Sequence, residues 1–286
     1  MQWRGARRST NIEDRRGMRI RPGLAGGGLV TIILLLLALY FGVDPRYLLN
    51  QGGVEADETT AVSTSPADET AKDFVSAVLG YTEDTWSEIF RNMGRTYQEP
   101  KLVLFTGEVD SACGFAQAAT GPFYCPEDEK VYLDMSFFQE LSDRFKAPGD
   151  FAQAYVIAHE IGHHVQNLLG ISRQVQAFRN RASTAAANRA SVRLELQADC
   201  LAGVWASRTE QAEESKLHQF LESGDVEEAL RAASMIGDDR LQMQAQGYVV
   251  PESFTHGTAE QRLRWFNTGF HSNSLSDCDT FKTAEP

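Results

Sequence analysis

Apolar positions divide the chain into three unequal parts. From Pro22 to Val43 no residue is charged, and Leu29 to Phe41 is apolar except for Thr31. A helix needs about 20 apolar residues to cross a hydrocarbon core of roughly 30 Å, so residues 23–43 are expected to form a single transmembrane helix. Residues 44–72 follow as a flexible acidic tether, since Asn50 to Lys72 is polar and free of aromatic residues. From residue 73 to 286 apolar and polar positions mix as in one folded domain. Its pattern predicts a helix over 82–93 closed by Gly94, and strands over 101–105 and 130–134, which are rich in β-branched and aromatic residues. A long helix should open at Asp150 as N-cap, with Gln153 at N3, and stop at Gly170. Further helices are expected over 173–189, 191–210, 211–222, 226–237 and 259–268. A few strands followed mostly by helices define an α+β domain with a small sheet.

Charge sharpens this division. Residues 1–22 hold seven arginines against Glu13 and Asp14, a net of +5 in a chain of formal charge -12, so the remainder carries -17. A basic head before an apolar segment fits the positive-inside rule, with the N-terminus in the cytoplasm and the domain outside it. A cleaved signal peptide is the alternative, but no small-residue cleavage site follows Val43 closely. The acidic body excludes nucleic acid as the expected partner.

The candidate chemistry lies in the long helix. His159-Glu160-Ile161-Gly162-His163 places two imidazoles at i and i+4, nearly on one face, where both can reach one metal ion. Glu160 is placed to activate water rather than to ligate. Tyr155, Val156, Ile157, Ile161 and Val165 make the rest of that helix apolar, and buried imidazoles need partners. A catalytic zinc keeps three protein ligands and one open position. A third His six residues beyond the second would complete one common set, but Leu169 stands there. Glu195 supplies the alternative, with Asp199 four residues on, where a carboxylate can fix the tautomer of a ligating His.

Further along, Thr258 and Gln261 have capping-box spacing. His256 precedes that helix and Arg262 lies one turn inside it, so both are candidate donors to an oxyanion. His164 should point about 100° away from the site, and His218 and His271 are expected at the surface. Val131 to Asp134 is a candidate edge strand for an extended peptide, or an ordinary structural strand. The four cysteines lack metal-site spacing. Beyond a membrane, Cys113–Cys125 and Cys200–Cys278 are the expected disulfides of three pairings, with reduced buried thiols as the alternative.

These motifs, in this order, resemble the YpfJ-type bacterial neutral zinc metallopeptidases. His159 to His163, Glu195 to Gly203, Thr255 to Arg262 with Trp265, Ser111 to Gly114, Gly121 to Pro126, Val131 to Asp134 and Cys278 to Phe281 carry the likeness. It covers essentially the whole chain, the tether least. The resemblance implies a gluzincin-like zincin holding one zinc per chain on His159, His163 and Glu195, with Glu160 as base. The spacing of His256 and Arg262 also resembles that of the HtpX and CAAX-protease group, although Gly257 stands where that group usually has Pro. The expected activity is hydrolysis of peptide bonds in a cell-envelope protein or peptide. The protein is expected to be single-pass in the bacterial cytoplasmic membrane, contacting the bilayer through residues 23–43. The alternatives are a catalytically silent binding module and a zinc hydrolase of a non-peptide bond.

Overall fold

The computed structural model describes residues 1–17, 65–117, 121–216 and 218–284. The expected transmembrane helix over 23–43 lies outside them, and among the described residues no helix is long and apolar enough to cross a membrane. The strands are β1 (Ile12–Asp14), β2 (Lys101–Phe105), β3 (Glu108–Ser111), β4 (Gly114–Gln117), β5 (Phe123–Cys125) and β6 (Lys130–Asp134). The helices are α1 (Pro66–Asn92), α2 (Ser136–Asp143), α3 (Asp150–Leu168), α4 (Ile171–Arg179), α5 (Thr184–Glu214), α6 (Asp225–Met235), α7 (Asp238–Gln246) and α8 (Ala259–Ser272). The mostly helical α+β architecture is as expected.

One four-stranded sheet runs in the order β1-β2-β6-β5, with β1 and β6 parallel to β2 and β5 antiparallel to β6; β3 and β4 form a separate hairpin. Side chains alternate across it as the pleat requires. Leu102, Leu104, Val131 and Leu133 enter the main core with α1 and α3, while Val103, Phe105 and Tyr132 pack with Val109 and Cys125 on the other face. Val131 to Asp134 is therefore central rather than an edge, and β5 closes the sheet beside α3.

Residues 1–17 of the head pack on the domain, and α1 begins at Pro66, within the expected tether. Ile12 to Asp14 pair with Leu102 to Leu104, and Ser9 exchanges two hydrogen bonds with Ser76 on α1. Buried Glu83 accepts from Arg7, Ser9 and Asn11. A Cβ at Gly80 would lie 2.7 Å from the Arg7 carbonyl oxygen, so glycine there admits the head backbone. The arginines serve as counter-charges: Arg8 pairs with Asp73, while Arg16 joins Asp14 and Glu69.

Helix boundaries moved where caps outweighed periodicity. α1 starts sixteen residues before the expected helix, because Ser65 and Asp68 form a capping box and Pro66 fits the first turn. The three helices expected between 173 and 222 are instead α4 and the 31-residue α5, capped by Ser183. Asp150 is not the N-cap of α3; Gly149 is, and the Phe151 amide donates to Glu228. α8 has the expected Thr258/Gln261 capping box. Both expected disulfides, Cys113–Cys125 and Cys200–Cys278, are present.

Candidate metal centre

Two helix crossings build the site. At Gly162, between the two His of α3, a Cβ would meet the Ala198 carbonyl oxygen at 3.0 Å and the Ala198 Cβ at 3.3 Å. Glycine there lets α3 lie against α5, which brings His159 and His163 to Glu195 and Asp199. α8 crosses α5 closely where Gly203 faces Phe266 backbone and Gly269 faces Cys200 backbone, leaving no room for a Cβ on either helix. That crossing carries Arg262 to the back of the site.

One donor atom from each of His159, His163 and Glu195 lies within 4.8 Å of the others. His159 Nε2 is 3.2 Å from Glu195 Oε2, and His163 Nε2 is 3.5 Å from Glu195 Oε1. Behind them His159 Nδ1 meets Asp199 Oδ1 at 2.8 Å and His163 Nδ1 meets Gln166 Oε1 at 2.9 Å. Both rings thus have an acceptor at Nδ1 that leaves Nε2 for an ion. Two imidazoles and one carboxylate, converging and backed in this way, suit a catalytic zinc.

The charges of the three side chains are coupled. Burial works against ionisation of Glu195, yet the two imidazoles hold its pKa well below the ordinary carboxylate range. Burial likewise opposes charge on His159, but Asp199 and Glu195 raise its pKa to about 10. Divalent metal would take the place of that positive charge, so loading should release protons. Glu160 is buried, which raises its pKa, and among the described residues it makes no hydrogen bond.

Arg262 faces Asp199. It is 2% exposed, and its Nε and Nη2 donate to the two oxygens of Asp199 at 2.8 and 2.9 Å. Burial would raise the Asp199 pKa, but Arg262 and His159 bring it down to about 2. Asp199 therefore stays ionised between His159 and Arg262. His256 remains a candidate donor: its ring is exposed and close enough to Glu195 for that carboxylate to raise its pKa, after the larger effect of Asp238.

Sequence reasoning missed four polar side chains here. Tyr155 donates to Asp199. Gln166 and Gln197 are buried beside the ligands. Asp238 accepts the amides of Thr255, His256 and Gly257, shaping the His256 loop, and its Oδ1 lies 3.3 Å from His256 Nδ1. Helical spacing of i+3 from His163 could have found Gln166; nothing local pointed to Gln197, at i+2 from Glu195, or to Asp238. His164 lies outside the site as expected, bonded to Tyr124 and the Gln98 carbonyl.

Fold and site together define a helix-borne His-Glu-x-x-His metal centre completed by a glutamate from a second helix. The family model described as "Putative neutral zinc metallopeptidase" matches residues 1–281, and the chain belongs to that family. It is 49% identical over 290 residues to "Uncharacterized protein YpfJ" of Escherichia coli (strain K12), covering 98% of this chain and 99% of that protein. It is 39% identical over 257 residues to "Uncharacterized protein Rv2575" of Mycobacterium tuberculosis (strain ATCC 25618 / H37Rv), covering 87% and 86%. No solved structure gives a significant match.

Proposed function

We propose that the protein is a zinc-dependent peptidase that cleaves peptide bonds with Glu160 as general base and acid. The observation carrying this reading is the pairing of a three-ligand set with a buried Glu160 carboxylate that makes no hydrogen bond among the described residues. Zinc held by His159, His163 and Glu195 would supply Lewis acidity, polarising the carbonyl and making water more acidic. Glu160 takes the proton from the attacking water and returns it to the leaving amine. His256 donates to the oxygen that gains charge, and Asp238 fixes the loop that presents it. Asp199 and Arg262 hold His159 in its ligating tautomer.

We further place the catalytic domain outside the bacterial cytoplasmic membrane, acting on cell-envelope protein or peptide. Two disulfides favour an oxidising compartment. The apolar stretch over 23–43 favours contact with the bilayer, entered from the side that holds both head and domain.

Glu160→Gln tests the reading. It removes the base but keeps the ligands, so zinc content should stay at about one per chain. Turnover of a fluorescence-quenched peptide library should fall roughly 10²- to 10⁴-fold. Unchanged turnover refutes hydrolysis at this site. A wild-type protein that binds zinc yet cuts no peptide favours the binding module or a non-peptide substrate.

A further inference from the structure

The motifs around the metal ligands contain two glutamines to which the proposed reaction gives no work. Gln166 is three residues after His163 on α3, and Gln197 is two after Glu195 on α5. Burial of both is nearly complete, with Gln166 0% and Gln197 6% exposed. A buried primary amide has two donors and an acceptor to satisfy, and each unmet one costs about 1–3 kcal/mol. Their positions are therefore held by what they bond.

The direction of every bond in this pair is dictated by two backbone carbonyls, which can only accept. Gln166 Nε2 lies 2.7 Å from the Leu194 carbonyl oxygen, so the nitrogen end of Gln166 faces α5 and its Oε1 faces His163. Gln197 Nε2 lies 2.9 Å from the Cys278 carbonyl oxygen, so its Oε1 faces back and accepts from Gln166 Nε2 at 3.1 Å. Gln166 Oε1 can thus only accept at His163, and His163 Nδ1 must carry the proton. With the proton there, Nε2 presents its lone pair to the ion. Each ring nitrogen behaves oppositely to its partner, so fixing one fixes both.

We propose that Gln166 and Gln197 are positioning residues that hold His163 in its metal-ligating tautomer, acting for the second ligand as Asp199 acts for the first. The inference rests on the zinc reading above. A neutral amide at His163 and a carboxylate at His159 also divide the charge: only one of the two ligands is backed by an anion. The relay ends on the carbonyl of Cys278, which is disulfide-bonded to Cys200, the residue following Asp199. Both backing groups are thereby anchored to the same short stretch of α5.

The test compares zinc affinity with the stability of the metal-free fold. Gln166→Met keeps length and approximate volume but accepts no hydrogen bond. By competition against a chelator, the full-length variant should bind zinc about 10- to 100-fold more weakly than the wild type. Its metal-free form should still melt cooperatively. Wild-type zinc affinity in cooperatively folding Gln166→Met would overturn the proposal, whatever its melting temperature. Should that variant fail to fold, Gln197→Met is measured in the same way. It leaves Gln166 held by the Leu194 carbonyl alone and should weaken zinc binding less, and an unchanged affinity there overturns the proposal equally. Failure of the wild type itself to bind zinc would refute the metal reading, a distinct outcome from wild-type and variant binding alike.

Discussion

Asp199 carries more of the site than its distance from the reacting atoms suggests. It is fully buried, bonds His159 and Tyr155, and takes both bonds of the Arg262 fork. A buried ion pair gains little over apolar packing, but removing one partner strands the other charge at a cost of about 3–5 kcal/mol. Arg262→Met should accordingly lower unfolding stability by that order in a urea titration of the metal-free protein. A loss under about 1 kcal/mol would show that Asp199 finds other compensation. The His-Glu-x-x-His ligands and Glu195 with Asp199 were legible in the sequence because i, i+4 spacing on a helix fixes which side chains share a face. The direction of Arg262 was not, since it depends on how closely α8 crosses α5, and that is set by Gly203 and Gly269 rather than by any pattern around Arg262 itself.

Among the elements, β1 shows where periodicity stops being informative. Three residues are too few to display alternation, and their arginine neighbours read equally well as a topological signal. What holds the segment is its pairing with β2 and a ring of ion pairs. Arg16 and Lys72, against burial, lower the pKa of Asp14; Arg8 lowers that of Asp73; and Lys130 with Arg15 outweigh burial to lower that of Glu13. A carboxyl whose pKa is lower when docked than when free, about 4, adds stability that is complete above pH 4 and is lost as pH falls through the docked values. Each exposed pair is worth under ~1 kcal/mol, but the three act on one segment. As pH falls from 4 to 2 the Ser9 and Arg15 amides, bonded to the Ser76 and Leu104 carbonyls, should therefore lose exchange protection relative to α3 amides. Parallel loss in both would mean that the head opens only with the whole domain. Long elements with strong caps, such as α8 with Thr258 and Gln261, were read correctly; α1 was cut short because Ser65 and Asp68 sit in sequence that otherwise looks like a linker.

At the scale of the whole molecule, residues 1–17 and the domain form one folded unit, and the family match likewise runs from residue 1 to residue 281. Residues 18–64 begin and end on that unit. A bilayer crossed once between them would put β1 and β2 on opposite faces, which their shared ladder forbids. Thr10 and Gln139 are both exposed, one on the head and one on α2, and neither is near the metal ligands in sequence. Thr10→Cys and Gln139→Cys, each made in the full-length chain, should react to the same extent with a membrane-impermeant maleimide added to spheroplasts. If the protein resides outside the cytoplasmic membrane, both should label before lysis. Labelling of Gln139→Cys with protection of Thr10→Cys would restore the single-pass orientation and show that the head is undocked in the cell. Equal protection of both would move the whole protein to the cytoplasmic side, where its two disulfides would have to be explained without an oxidising compartment.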